Sequence, residues 1–244
     1  MFSAALVMAL LSANAQKRAF TIEDLYRVKG VSSVSLSPDG KTVCYTASSS
    51  DLKNQKSGSD IYIMNADGSH AKALTEDGKS SSAVWSKDGK SIFFTNYEKG
   101  TAQIFRMDLT TCETEQVTDY ELGIGSPVIS PDERYIAFTA EVYPDLGADA
   151  KANKARMEKK EQGPVQAHIA DKLLYRHWTS YNDGRCNHLI LFDTQTKTYK
   201  DLTPGNYSLI FVVGGGITYQ FSPDSKEICF VSNHDEHQEA STNA

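Results

Sequence analysis

The chain has 244 residues, 40% hydrophobic and 23% charged, a composition typical of a folded globular protein with a sizeable core. Its formal net charge is −6 and it contains no run of like charges. That balance argues against nucleic acid or an anionic membrane surface as the main partner.

The N-terminus has the pattern of a targeting segment. Residues 4–11 are apolar, and Ala13-Asn14-Ala15 has the small residues of a cleavage site just before Gln16. The apolar run is too short to span a bilayer. We therefore predict a signal peptide over residues 1–15, no membrane span, and a secreted or periplasmic protein. No Lys or Arg precedes the run, so we expect the natural start to lie slightly upstream; the alternative is an uncleaved, frayed terminus.

One short phrase occurs four times in the rest of the chain. It combines Pro or Lys, Asp and often Gly after a serine, which is the chemistry of a tight turn. The copies are SPDGK at 37–41, SKDGK at 86–90, SPDER at 130–134 and SPDSK at 222–226. An apolar run follows each copy without alternation, which indicates a strand buried on both faces.

A second phrase, strand–turn–strand, lies between the copies of the first. It occupies residues 60–75, 103–118 and 188–203. The two phrases together give four short strands per unit, the pattern of a β-propeller blade. The turn serines are 49, 44 and 92 residues apart, and propeller repeats run at about 40–50 residues.

The last interval contains only one copy of the second phrase, so it is one blade with an insertion. The predicted fold is all-β: a partial β-propeller of three four-stranded blades plus half a fourth. The propeller domain covers 16–244, with blades at 30–76, 77–120, 121–204 and 205–244.

The insertion, residues 141–186, is predicted to form a helix and a hairpin. Residues 145–162 are rich in helix formers and Gly163-Pro164 ends them. Residues 173–181 with the turn at 182–184 indicate a projecting hairpin. Insertions in repeat proteins often lie on the binding face.

Within the hairpin we select Arg176, His177 and Trp178 as substrate-binding candidates. A charge beside an aromatic ring suits a peptide carboxylate or carbonyl. The competing expectation is that Tyr175, Trp178 and Tyr181 pack onto their own blade.

Motifs for catalysis, metals and cofactors are missing from the sequence. It contains no Gly-x-Ser-x-Gly elbow and no Cys/His metal spacing, so we predict no catalytic residue, no metal and no cofactor. The cluster from His234 to His237 is more typical of a solvated loop than of a metal site. Of the four cysteines, Cys44 and Cys229 occupy equivalent strand positions and are expected to be small core side chains.

The turn and strand phrases resemble the propeller repeats of TolB-like proteins and of the prolyl oligopeptidase family. The insertion favours the second group. Its segments at 142–145, 158–161, 174–178 and 183–185, followed by 201–205 and 232–236, look like the N-terminal half of dipeptidyl-peptidase 5 and acylaminoacyl-peptidase-like enzymes. The resemblance covers about residues 18–244.

In that family a propeller covers an α/β-hydrolase domain whose Ser-Asp-His triad releases dipeptides from peptide N-termini. The resemblance therefore implies peptide substrates, and a propeller that gates and orients them for a hydrolase domain absent from this sequence. We expect the chain alone to be inactive and prone to aggregate through unpaired strand edges. Two alternatives stay open: a TolB-like periplasmic module that binds proteins, and a scaffold that completes its ring by dimerising.

Overall fold

The computed structural model describes residues 18–165, 167–169, 175–177, 179–209 and 218–234, and only the backbone of His177. The predicted signal peptide lies outside these residues. A short helix, α1 (Ile22–Arg27), precedes the first strand, and Thr21 with Asp24 forms a capping box at its start. No helix in the described ranges is long and apolar enough to cross a membrane.

Three four-stranded antiparallel sheets follow one another along the chain, each a simple meander. The first contains β1 (Gly30–Leu36), β2 (Thr42–Asp51), β3 (Lys56–Asn65) and β4 (Lys72–Ala73). The second contains β5 (Ser80–Trp85), β6 (Ser91–Asn96), β7 (Gln103–Asp108) and β8 (Thr114–Gln116). The third contains β9 (Gly125–Ile129), β10 (Tyr135–Val142), β13 (Cys186–Asp193) and β14 (Thr198–Asp201). A two-stranded hairpin, β15 (Tyr219–Phe221) with β16 (Ile228–Phe230), begins a fourth unit. The predicted three blades and a half are confirmed.

The four repeated turns are closed by identical hydrogen bonds. In each copy the serine hydroxyl donates to the turn aspartate at 2.6 to 2.8 Å. The fifth residue's amide donates to the same carboxylate, and the sixth residue's amide donates to the serine oxygen. The fourth residue takes a positive φ in every copy, whether it is Gly40 and Gly89 or Glu133 and Ser225. Neighbouring side chains therefore hold the turn even where glycine is missing.

The two non-glycine residues at the fourth turn position also contact the preceding turn. The Lys87 amide of the second turn donates to the Glu133 carboxylate of the third. The Asp132 amide of the third turn donates to the Ser225 hydroxyl of the fourth at 3.0 Å. These bonds join consecutive sheets at the turn end of the molecule.

The apolar core is divided into three clusters, and each lies between two consecutive units. The cluster between the second and third sheets is the largest, and Tyr120, Phe138 and Phe192 are its bulkiest buried members. On β10, Ile136 and Phe138 face the second sheet, whereas Ala137 packs towards β15. This explains the continuous apolar runs in the sequence, because both faces of such a strand are covered by neighbouring units.

Burial decreases at the last repeat. All six residues of β6 are buried, but in β16 Ile228 is half-buried and Cys229 is exposed. The expectation that Cys229 is a core side chain is wrong, whereas Cys44 is fully buried between the first two sheets as expected. Equivalent positions differ because Cys44 has a neighbouring sheet against it and no described sheet covers Cys229.

The insertion leaves β10 after Val142 and returns at Cys186, and these two residues are register partners. It contains helix α2 (Ala150–Glu161) and a hairpin of β11 (Arg176–His177) and β12 (Ser180–Tyr181). The helix starts five residues later than predicted, because Asp149 caps it by accepting the Ala152 amide at 3.0 Å. The hairpin reverses between 177 and 180, and the predicted turn at 182–184 follows β12 instead of closing the hairpin.

Candidate functional site

The inner strands of the three sheets line one open groove. These strands, β1, β5 and β9, enclose a cavity of about 950 Å³. Trp85 and Pro127 supply apolar wall, Lys87 and Glu133 lie at the turn end, and Tyr97 lies at the opposite end. A space of this size, with mixed apolar and polar walls, is large enough for a short peptide.

Each inner strand carries a β-bulge at a serine. Ser33, Ser82 and Ser126 have φ values of 50°, 56° and 46°, and each coincides with a break in strand register. All three serines are exposed and line the groove. A bulge leaves its extra residue out of the ladder. The groove is therefore lined by one exposed hydroxyl on each of the three strands, beside backbone groups that lie outside the ladder.

Two of these bulges are held by a neighbouring unit: the one at Ser82 by the preceding sheet and the one at Ser126 by the following hairpin. The Ser82 amide donates to the Thr46 hydroxyl of β2 at 3.0 Å. The Tyr219 hydroxyl of β15 donates to the Ser126 carbonyl. Left-handed φ is costly for a serine, so these neighbouring contacts are what maintain it. The groove wall is a product of sheet-to-sheet packing.

The groove can bind but it contains no catalytic constellation in the part of the chain that the structure describes. Its titratable side chains are a lysine, a glutamate and a tyrosine, and no histidine lies beside its serines. A serine hydroxyl needs a neighbouring base to become a nucleophile. Hydrogen bonding and shape recognition are the chemistry available here.

Of the three predicted binding residues, the structure describes the side chain of Arg176 alone. It is exposed on β11, opposite Tyr181 on β12, with its guanidinium 6.0 Å from that ring's centroid. The Tyr181 ring stacks on His168 at 3.9 Å between centroids. Trp178 and the His177 side chain lie outside the described residues.

The expectation that the hairpin tyrosines pack onto their own blade is wrong. Tyr175 is 49% exposed and Tyr181 is 40% exposed. With Arg176 they form a cationic and aromatic surface on the insertion, the type of surface that stacks on planar groups and binds carboxylates.

A buried asparagine anchors the helix of the insertion. Asn153 is fully buried and accepts the Tyr143 amide at 2.6 Å. Its amide nitrogen donates to the carbonyls of Gly147 and Asp149 at 3.0 and 2.8 Å. These bonds fix the 143–149 loop onto the helix, so α2 keeps one orientation beside the third sheet.

Salt bridges continue this anchoring at the surface. Arg156 makes a bidentate pair with Asp145, at 2.7 and 2.6 Å, and stacks over Tyr143. The guanidinium lowers the pKa of the Asp145 carboxyl, so both groups are charged at neutral pH. Beside the helix, a second cavity of about 600 Å³ has a charged wall that includes Glu141, Glu158 and Arg185.

Metal ligands do not cluster in the described ranges: no group of three His, Cys, Asp or Glu side chains could hold an ion there. His234 instead packs on the Tyr207 ring at 4.2 Å between centroids. The remaining residues of the His234–His237 cluster lie outside the described part of the chain.

The groove serines were missed by the sequence analysis, although a periodic signal exists. Each lies four residues before a turn serine, and Thr218 occupies the same position before the fourth turn. Nothing in the residue type indicates a bulge, which depends on cross-sheet contacts.

The family model for the TolB beta propeller domain matches residues 14–162. This range contains the first two sheets, β9, β10 and the helix of the insertion. The chain belongs to the TolB beta propeller domain family.

Within this family, the predicted resemblance to peptidase propellers is also confirmed. Dipeptidyl-peptidase 5 of Porphyromonas gingivalis is 31% identical over 207 residues, which cover 83% of this chain and 29% of that protein. The TolB-family chain thus spans less than a third of this relative's length.

Two solved structures share the propeller fold. Acylaminoacyl peptidase of Pyrococcus horikoshii matches with a TM-score of 0.54 and 20% identity, over 74% of this chain and 26% of that one. TolB of Acinetobacter baumannii matches with a TM-score of 0.50 and 20% identity, over 80% and 36% of the two chains. At these identities the two structures support the fold alone.

Proposed function

We propose that this chain is the propeller portion of a secreted serine dipeptidyl peptidase. In this proposal it gates and orients peptide substrates, and an α/β-hydrolase domain of the same protein supplies the nucleophile. The observation that carries the proposal is the 31% identity to dipeptidyl-peptidase 5 over 83% of the chain.

The geometry of the groove supports an orienting role. Exposed serines on three successive inner strands offer hydrogen bonds to the backbone of an extended peptide, whatever its side chains. No base lies beside these serines among the described residues, which agrees with a division of labour in which chemistry takes place elsewhere.

In this proposal the insertion binds one end of the peptide substrate. Arg176 is exposed beside an aromatic ring, so it can pair with a carbonyl or carboxylate of the peptide. His177 and Trp178 adjoin it in sequence and are assigned the same role. Asn153 and the Arg156–Asp145 pair keep the root of the insertion rigid, which is required for a binding surface to act precisely.

The test uses the natural polypeptide that contains these residues, assayed with dipeptidyl p-nitroanilides and with the same compounds blocked at the N-terminus. Hydrolysis of the compounds with a free N-terminus, but not of the blocked ones, supports the proposal. The variant Arg176→Ala is expected to raise KM with little change in kcat, whereas Arg27→Ala, at an exposed arginine of α1, leaves both unchanged. No turnover of any dipeptidyl substrate would overturn the proposal, and an unchanged KM in Arg176→Ala would remove the arginine from it.

The TolB family membership favours a second candidate, a periplasmic propeller that binds proteins. The two candidates differ in one respect that is simple to measure. A natural polypeptide without a Gly-x-Ser-x-Gly motif and without peptidase activity would support the binding module. Such a motif, together with dipeptide release, would exclude it.

The proposed export rests on the apolar run at 4–11 and the small residues before Gln16. Cell fractionation followed by N-terminal sequencing tests it. Recovery of mature protein that begins at Gln16, outside the cytoplasm, is the expected result. A cytoplasmic protein that retains residues 1–15 would contradict it.

A further inference from the structure

One residue position in each sheet ties the third strand to the segment that leads to the next unit. In all three sheets, one amide of the third strand donates to the hydroxyl of a threonine 14 positions later, at 2.9 Å. The position of interest is the residue directly before that amide. We name it the latch position. Its occupants are Asp60, Gln103 and His188.

The first two latches act through a carboxylate and a side-chain amide. The Asp60 carboxylate accepts the Thr75 hydroxyl at 3.1 Å and the Gly78 amide at 3.0 Å. Gln103 accepts the Tyr120 amide at 3.1 Å and donates its side-chain amide to the Tyr120 carbonyl at 2.7 Å. Both latches hold the connecting segment without a histidine.

The third latch is chemically different. The His188 side chain is completely inaccessible to solvent. Its Nδ1 lies 2.7 Å from Asp201 Oδ2, and its Nε2 lies 2.9 Å from the Gly205 carbonyl, the counterpart of the Tyr120 carbonyl. A carbonyl oxygen and a carboxylate oxygen both act only as hydrogen-bond acceptors. The Thr203 amide donates to the other oxygen of Asp201, at 2.9 Å, so this side chain acts as an acceptor on both sides. Both ring nitrogens must therefore carry protons.

We propose that His188 is a buried imidazolium whose second proton locks the 202–209 segment onto the third sheet, so that this latch alone of the three opens with rising pH.

Electrostatics around the ring agree with the geometry. Burial lowers the pKa of His188, but the hydrogen bonds to Asp201, Cys186 and the Gly205 carbonyl, together with the charge of Asp201, outweigh this and raise that pKa to about 9. Among the described residues, three other titratable groups face His188 and Asp201: Cys186 on β13, Tyr207 on the locked segment, and Tyr120, which interacts electrostatically with Asp201. A raised folded-state pKa gives stability that is complete below about pH 6.5 and lost as pH rises through about 9.

Loss of the proton has a local effect because the segment has other attachments. The Leu202 amide donates to the Leu189 carbonyl at 2.8 Å, and the Leu209 amide donates to the Asn187 carbonyl at 2.7 Å. Leu209 belongs to the cluster that joins the third sheet to β15. Deprotonation therefore frees the middle of the segment, 204–206, at the junction between the third and fourth units.

The direct test is ¹⁵N NMR of the histidine side chains in the full chain at pH 7.5. His188→Gln identifies the signal by its disappearance. Two protonated ring nitrogens are expected for His188. A neutral ring at this pH would overturn the proposal.

The functional test is hydrogen exchange of the Thr203 amide, which donates to Asp201 at 2.9 Å. Its protection factor should fall about tenfold between pH 8 and pH 10 in the natural chain. His188→Gln reproduces the chemistry of the second latch, so its protection should be the same at both pH values. His70→Gln, at an exposed histidine of the first sheet, is the control and should behave as the natural chain does. An equal fall in His188→Gln would overturn the proposal.

Discussion

The second sheet and the β15–β16 hairpin have the same turn between their first two strands, yet the strands that follow it are buried to very different extents. In both units the turn serine, aspartate and following amides make the same hydrogen bonds. The strand after the turn is fully buried in the second sheet and mostly exposed in the hairpin. Turn geometry is therefore a local property of six residues, whereas burial depends on a neighbouring sheet on each face.

The largest effect expected from this comparison concerns Ile92 and Ile228, which both lie six residues after their turn serine. Ile92→Ala should lower the free energy of unfolding by about 2–5 kcal/mol, because it opens a cavity in a closed core. Ile228→Ala should cost about 1 kcal/mol, because the residue is half-buried. Urea denaturation of the full chain measures both. Ile22→Ala, at an exposed site, is the control, and equal losses at 92 and 228 would contradict the comparison.

A smaller effect is expected at the fourth turn position. Gly40→Ala and Gly89→Ala both place a Cβ on a residue with φ near +70°, at a cost of about 1 kcal/mol. The added Cβ meets open space at Gly40 and lies 3.5 Å from Pro38 at Gly89, an ordinary contact. The two variants should agree within about 0.5 kcal/mol in urea denaturation. A much larger loss at Gly89 would mean that turn-to-turn packing is tighter than the distance indicates.

The turn aspartates should be insensitive to the difference between the two units. Asp88→Ala and Asp224→Ala remove the same acceptor from equivalent turns, so they should shift the urea midpoint by the same amount. Asp88→Asn and Asp224→Asn keep an acceptor oxygen and should have a weaker effect. Clearly unequal shifts for the two alanine variants would show that the turn is not locally determined.

The smallest effect is expected in acid. The pKa of Asp88 is lowered first by the Lys90 amide and then by the Ser86 hydroxyl. The pKa of Asp224 is lowered first by the Ser222 hydroxyl and then by the Lys226 amide. Depressed pKa values give stability that is present above about pH 4 and lost as pH falls below it. Asp88→Asn and Asp224→Asn should each flatten the decline in stability between pH 4 and pH 2. A steeper decline in either variant would contradict this assignment.

The sheets could be predicted because each signal was repeated and local. Four turn phrases and three strand–turn–strand phrases state the period, and the apolar runs after Ser86 and Ser130 match fully covered strands. The exposure of Cys229 could not be predicted from its strand, because its register is the same as that of the buried Cys44. The difference arises from the neighbouring unit, which a single strand does not encode.

The candidate site was less predictable than the fold. Arg176 was selected by chemistry, but the exposure of Tyr181 depends on how the hairpin projects. The bulges at Ser33 and Ser82 depend on contacts between sheets, such as the one from Thr46. His188 reads as an ordinary strand residue until its partners, 13 and 17 positions away, are known.

The contacts between consecutive turns limit how such repeats can be rearranged. Glu133 and Ser225 each accept an amide of the unit before their own, and the units that carry Gly40 and Gly89 have no side chain at that place. Exchanging the second and fourth repeats by recombination would break both bonds at once. Duplicated units that began as interchangeable copies have thus acquired a fixed order, and a chimaera must transplant neighbouring repeats in pairs.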